Sequence, residues 1–469
     1  MAKITAYIPE PTDTYDVNNQ RQILESLNTI KDQLNFGYQQ DLINEQAAML
    51  QFMYGNQNGF GCDTGTPSNP TVIVPGGNSV DAFGRLRVSN PLTIFDSKSI
   101  MSKNTLFDES TANGGSVTYT SNKSTVNLNV TEAAGSKTIR QSKRVMSYQP
   151  GKSLLIFNTF VMNTLTANLK QKVGLFDANN GIFFTADETT LKIVRRTYTS
   201  GAAVDTEISQ SSWNGDKLNG TGSSGFTLDP ATSNILFIDI EWLGVGSVRV
   251  GFVINGQLIT AHTFYNANSL TTVYMQTANL PIRYEIERAG TIASGTYTLQ
   301  QICSSCISEG GYQPEGVQQM IGTASLNGVN LSSSNTLYNL ATIRIRSSRP
   351  YAVIIPAGYE TSAISNSDFE VGLYLNATPS SAFSYTNYSD NVEYDITGTL
   401  TISGGTRIAG SFLSGKGTSL VTASESGNFN FSYQLGQTIA GVSDTLTLAG
   451  KGAANNDDIV GLLKWYDLT

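Results

Sequence analysis

The 469-residue chain is long enough for two or three domains with cores of their own, so size sets no limit on stability. Charged residues make up 14% of it, against about a quarter in ordinary globular chains, and there are only 13 prolines against 44 glycines. That balance excludes a disordered Pro-rich chain and suits short strands joined by tight turns. A formal charge of −8 and a pI near 4.9 leave no basic surplus, which argues against nucleic acid as the main partner.

Residues 1–16 carry Pro9 and Pro11 without a hydrophobic period and read as an extended arm that tucks against a neighbour. The start lacks an apolar signal core, and no later run approaches the roughly 18 apolar residues of a membrane span, so no membrane insertion is expected. Residues 17–55 read as the chain's one long helical segment, with Asp16 as N-cap and Gly55 as stop. Apolar side chains recur at Ile23, Leu27, Ile30 and Leu34, then in a second frame at Ile43, Ala47, Leu50 and Tyr54. This is a heptad seam, and Gly37 between the frames predicts a kink or break. So narrow a stripe is buried most readily against copies of itself, which makes 17–55 an oligomerisation and anchoring stalk. The alternative is a helix packed on its own β domain.

Residues 56–95, rich in Gly, Pro, Asn and Thr, read as a linker. From 96 to 312, strand-like runs recur at 116–119, 125–130, 153–162, 172–176, 181–185, 191–198, 235–242, 247–254, 257–264, 282–288 and 297–303. Their spacing predicts a β-sandwich of jelly-roll, concanavalin-like type. Asn255-Gly256 is the clearest hairpin signal, because it supplies both positive φ values of a type I′ turn. The pattern breaks at Gly310-Gly311-Tyr312, and 313–469 reads as a second β-sandwich with strands at 341–346, 351–355, 370–375, 391–400, 429–435 and 445–448. The closing apolar segment 459–466, with Trp465, is expected to dock on a sheet. The fold class is therefore mainly β: a helical, coiled-coil stalk followed by two sandwiches.

Chemistry-bearing patterns are few. Asp239 and Glu241, in Phe237-Ile-Asp-Ile-Glu-Trp242, project from one strand face. The run resembles the E-x-D-x-E strand of laminarinase-type glycoside hydrolases, but Phe237 stands where the first carboxylate is required, so no catalytic residue is assigned. The other reading of this acidic pair is a hydrogen-bonding role toward Arg249 or Arg283. His262, the single histidine, alternates with apolar positions and reads as a packing residue, with general-base chemistry as the alternative. Cys62, Cys303 and Cys306 cannot all pair, and one C-x-x-C with one histidine is no zinc set; if 302–307 is a strand, Cys303 and Cys306 face opposite ways. Asn455-Asn-Asp-Asp458 departs from the EF-hand spacing and reads as a turn into a strand, with an oxygen-ligated Ca²⁺ as the alternative. No metal and no cofactor is expected. Lys137, Arg140, Lys143 and Arg144 read as the solvated face of a strand, or else a polyanion site. Phe383, Tyr385, Tyr388 and Tyr394, interleaved with Ser, Thr and Asn, suit sugar rings; the competing reading is strand aromatics facing a core.

The segments Asp81-Ala-Phe-Gly-Arg-Leu-Arg-Val-Ser89, Pro91-Leu-Thr-Ile-Phe-Asp-Ser-Lys98, Leu280-Pro-Ile-Arg-Tyr-Glu-Ile286 and Leu463-Lys-Trp-Tyr466 resemble a family of virion structural proteins of marine tailed bacteriophages, cyanophages in particular, with relatives in large algal viruses. The resemblance extends from the N-terminal helix to the C-terminus. It implies a virion component without implying which one. Together with the stalk-and-sandwich organisation, the reading is a non-enzymatic structural protein on the particle exterior, of fibre, spike, knob or capsid-decoration type, assembled in the host cytoplasm and held by its N-terminus to other virion proteins. A homotrimer is the first choice, by analogy with threefold viral fibres. The alternative is a glycan-binding or glycan-cleaving receptor protein that engages host cell-surface glycan.

Overall fold

The computed structural model describes residues 16–32, 90–290, 294–313, 316–416, 422–425 and 429–469. They fall into two units, 1–88 and 89–469. In the first, residues 17–32 are helical. Asp16 caps them as expected: its Oδ1 accepts the Asn18 N–H at 3.0 Å, and its carbonyl accepts from Gln20 at 3.0 Å. Of the proposed seam, Ile23 and Ile30 are half-buried and Leu27 is 49% exposed. Leu34, Ile43, Ala47, Leu50 and Tyr54 lie outside the described residues, as do Cys62, nearly all of the arm and most of the linker. A long coiled coil is therefore not seen.

The second unit is mainly β. Eight strands form one sheet, in the order Gln257–Phe264, Val248–Ile254, Asn234–Ile240, Leu154–Val161, Tyr297–Ser308, Thr125–Val130 and Ser116–Thr120, with Leu92–Lys98 also paired to Tyr297–Ser308. Seven form the facing sheet: Val204–Ser209, Thr190–Thr197, Gly181–Asp187, Leu169–Phe176, Ile282–Arg288, Lys137–Ser142 and Phe107–Ala112. Period-2 alternation decides what lies between them. In Leu154–Val161, Leu154, Ile156 and Phe160 point inward against Val173, Phe184 and Tyr284, while Leu155, Phe157 and Thr159 point out. The hairpin at Asn255-Gly256 has φ of 51° and 79° and pairs Ile254 with Gln257, as a type I′ turn requires.

A second sandwich follows. One sheet runs Val317–Gly322, Asp457–Asp467, Ile354–Ala363 and Thr422–Glu425, with Val329–Leu331 also on Asp457–Asp467; the other runs Thr386–Asn387, Val392–Asp395, Tyr338–Ile345, Thr445–Gly452, Asp368–Leu375 and Thr406–Ser414. Their core holds Leu340, Ile343, Leu373, Leu448, Leu463 and the fully buried Trp465, whose indole donates to Gln319 Oε1 at 3.0 Å. The closing segment is thus a central strand, paired on both sides.

Several expected boundaries move. The strand Leu92–Lys98 begins inside the stretch read as linker, because its partner Tyr297–Ser308 is longer than the apolar pattern suggested. Residues 431–433 form a 3-10 turn instead of a strand: the Asn430 side chain accepts the Ser432 N–H and caps it. The strand expected at 351–355 starts only at Ile354, after the turn that holds Tyr351. Within 391–400 only Val392–Asp395 is a strand. The two sandwiches share no strand, yet Val353, Ile355 and Phe431 pack into the first core.

The basic run is the plainest correction. It does not form a solvated face, because three of its four cations, Lys137, Arg140 and Arg144, are spent on different partners. Arg140 is 1% exposed, donates to Gln301 Oε1 at 2.6 Å and to the Asn104 carbonyl at 2.8 Å, pairs with Glu109, and lies over the Phe107 ring. Lys137 joins Arg283 and Lys172 around Glu285, which is 2% exposed. Burial by itself would raise the Glu285 carboxyl, but Arg283, Lys172 and Lys137 outweigh it and hold the group well below the usual carboxylate range. Its stabilising effect is therefore complete above its unfolded pKa of about 4.3 and is lost as pH falls below that value. Glu285→Gln should cost about 3 kcal/mol at neutral pH by leaving clustered cations uncompensated. In urea titrations the gap between wild type and variant should close from about pH 5 toward about pH 2; a pH-independent gap would assign the loss to packing.

Candidate functional site

The strand Asn234–Ile240 sends Leu236, Ile238 and Ile240 into the core, which turns Phe237 and Asp239 to the outer face of the eight-stranded sheet. Opposite Phe237 stands Gly251, where an added Cβ would lie 2.7 Å from the Phe237 ring, so only glycine admits the aromatic there. Phe237 is 3% exposed and fills the position where a first carboxylate would stand. Asp239 faces Arg249 across the ladder and forms an ion pair with it. Of the two arginine partners considered, Arg249 is the one used, since Arg283 lies in the other sheet on Glu285.

Glu241 follows the strand and is placed by a loop. Its N–H reaches Ser247 O at 3.2 Å, and Gly246 N–H closes on Trp242 O at 2.7 Å. Trp242 Nε1 donates to Met275 O at 3.1 Å, Tyr274 N–H to Gly244 O at 2.9 Å, and Asn266 Nδ2 to Gly246 O at 2.6 Å, which ties the loop to residues 266–275. The result is an open cleft of about 290 Å³ lined by Gly151, Lys152, Ser153, Asp239, Glu241, Ser247 and Arg249. Glu241 and Lys152 make no ion pair or side-chain hydrogen bond among the described residues, so the cleft offers one free carboxylate and one free ammonium beside a closed Asp239–Arg249 pair. Lys152 and Ser153 carry no sequence signal; only the fold brings their turn to the end of the neighbouring strand. Glu309 stands just behind the wall and accepts from Ser153 Oγ at 3.3 Å. Retaining glycosidases need two carboxylates about 5–5.5 Å apart, and in this cleft Glu241 is the one carboxylate without a cation.

The aromatic stretch folds as two pairs, not one platform. Phe383 packs on Tyr374, Ala377 and Ile402 and meets Tyr385 at 5.6 Å. Tyr385 lies against the Arg344 guanidinium at 3.7 Å, and its hydroxyl is buried without a hydrogen-bond partner. Tyr388 is 39% exposed and meets Tyr394 at 6.1 Å and Trp465 at 5.0 Å, while Tyr394 packs on the second core. The loop is pinned by Asp395, 1% exposed, which accepts from Asn339 Nδ2 at 3.1 Å, from Thr397 N–H at 2.7 Å and from Ser384 N–H.

His262 is 7% exposed; its Nδ1 accepts from the Asn214 N–H at 3.3 Å, its ring stands edge-on to Phe264 at 4.7 Å, and burial lowers its pKa, so it sits neutral in the packing. Cys303 is exposed and Cys306 buried, on opposite faces of their strand. Asn455–Asp458 is a turn into a strand: Asn456 has φ 59°, Asp457 Oδ2 accepts from Ala454 N–H at 2.9 Å, and Asp458 Oδ1 accepts from Asn330 at 3.0 Å. Among the described residues no cluster of His, Cys, Asp or Glu could hold a metal ion, and no helix is long and apolar enough to cross a membrane.

No family model and no curated protein matches the chain. Among solved structures it is similar to a Bacillus licheniformis β-glucanase (12% identity, 45% of this chain, 96% of the other, TM-score 0.29). It is also similar to arcelin-5, a lectin-like defence protein from Phaseolus vulgaris (10% identity, 46% and 98%, TM-score 0.28). A third is a Bacteroides ovatus mixed-linkage glucan GH16 protein in complex with its product (11% identity, 45% and 99%, TM-score 0.32). Likeness at this level carries no argument about ligand or chemistry.

The Asp395 cluster yields a direct expectation. Asp395→Asn turns an acceptor toward donors and should cost about 2 kcal/mol, with faster amide exchange at Ser384 and Thr397; protection as in wild type would show that packing of Phe383 alone holds the loop.

Proposed function

We propose that this protein binds carbohydrate without cleaving it, as a structural component on the exterior of a phage particle. The observation that carries the binding half is the cleft at Asp239 and Glu241. It is open and polar, and it combines a free acceptor (Glu241), a free donor (Lys152), two hydroxyls (Ser153 and Ser247) and a fixed Asp239–Arg249 pair. Vicinal hydroxyls of a sugar both donate and accept, so a wall with both kinds of group matches them. Phe237 in the first position of the triplet, and the neutralisation of Asp239 by Arg249, support binding over hydrolysis. The virion setting and the exterior role rest on the sequence resemblance and on the organisation read from the sequence.

A glycan array, followed by calorimetry on the best ligand, tests the reading. Glu241→Gln with Lys152→Ala should weaken binding at least about tenfold, since hydrogen bonds to charged groups contribute about 1.5–3 kcal/mol each. The melting temperature should stay unchanged, because neither side chain has a partner to lose. Release of reducing ends that disappears in Glu241→Gln would replace the reading by a hydrolase, with Glu309 as the second carboxylate to examine.

Assembly is a separate proposal: the helix joins protomers, three in number, through Ile23, Leu27 and Ile30. Changing all three to Asp should give monomers by sedimentation velocity with unaltered β circular dichroism; an unchanged sedimentation coefficient would remove the helix from the interface.

A further inference from the structure

Where the two sandwiches meet, a cleft of about 190 Å³ opens between residues 141–145 and 177–178 on one side and residues 347–351 and 437–441 on the other. Most of its polar groups are already satisfied. Asp177 Oδ1 accepts the N–H groups of Asn179 and Asn180 at 2.7 Å each, and its Oδ2 takes the Tyr351 hydroxyl at 2.6 Å. Arg283 is spent on Glu285 and on Gln141 Oε1 at 3.0 Å.

Gln437 and Lys143 are not satisfied in this way. Gln437 is 7% exposed; its Nε2 donates to Arg346 O at 3.4 Å, but its Oε1 is buried with no donor. A buried carbonyl oxygen left in that state is costly, and its natural complement is a bound donor. Lys143, half-buried on the opposite wall, makes no ion pair among the described residues. The space equals the share of about six waters at roughly 30 Å³ each, too small for a drug-sized ligand but adequate for one sugar ring. Water alone meets the Gln437 acceptor but leaves the ammonium without a counter-charge. Val145, Ile439, Pro281 and Pro350 supply apolar wall for the C–H side of a ring.

We propose that this junction cleft binds a single hexuronate unit, its carboxylate on Lys143 and a ring hydroxyl donating to Gln437 Oε1. The site is separate from the Glu241 cleft and involves different residues, so either can fail while the other stands.

The test is calorimetry on the full chain with glucuronate, glucose and acetate, for wild type, Lys143→Met, Gln437→Leu and Glu241→Gln. Expected is glucuronate bound at least tenfold more tightly than glucose or acetate, with the preference over glucose lost in Lys143→Met, affinity for both sugars reduced in Gln437→Leu, and no change in Glu241→Gln. Glucuronate bound no better than glucose or acetate, a preference that survives in Lys143→Met, or no binding of any of the three would overturn the proposal. Lys143→Met lies at a half-buried position without a partner, so it still decides the matter if Gln437→Leu fails to fold.

Discussion

The second sandwich is held on the first by a shared core: Val353, Ile355 and Phe431, contributed by the second sandwich, are buried among side chains of the first. Burying such side chains contributes about 1.5–3 kcal/mol each, and polar bonds then fix the angle. Arg144 Nε donates to Gln434 O at 3.0 Å, Gln434 Nε2 returns to Val145 O at 3.1 Å, and Ile439 N–H reaches Asp108 Oδ2 at 2.8 Å. Two sandwiches that share no strand therefore behave as one compact unit, and the junction cleft between them has fixed walls.

Some of the charge is handled inside the fold. A chain with few charged residues places Arg140 and Glu285 almost wholly out of water, each among its own partners. Arg140 ties the edge strand Phe107–Ala112 to the facing sheet through Gln301, while Glu285 gathers cations from three adjacent strands. These networks fix strand order where apolar alternation by itself is indifferent to it.

The two clefts share a principle. In each, a donor and an acceptor without protein partners stand beside paired neighbours: Lys152 with Glu241, and Lys143 with Gln437. Such residues stand out only when the partners of all their neighbours are known, since a lysine or glutamine in a strand or turn has no distinctive spacing.

By itself, the sequence determined the β class, the helix start at Asp16, most strands of the first sandwich, the hairpin at Asn255-Gly256 and the opposed faces of Cys303 and Cys306. Each follows from local chemistry: a side-chain cap, a two-residue period, or the positive φ that Asn and Gly tolerate. The pairing of Asp239 with Arg249 was legible as one of two options, because strand alternation fixes a face but not a neighbour. Only the tertiary structure decided that Arg140 is buried, that residues 431–433 turn instead of extending, that the aromatic stretch splits into two pairs, and that Lys143 and Gln437 line one cleft. Those outcomes depend on which strands become neighbours across hundreds of residues, and a period-2 pattern is the same for every order in which a sheet can be assembled.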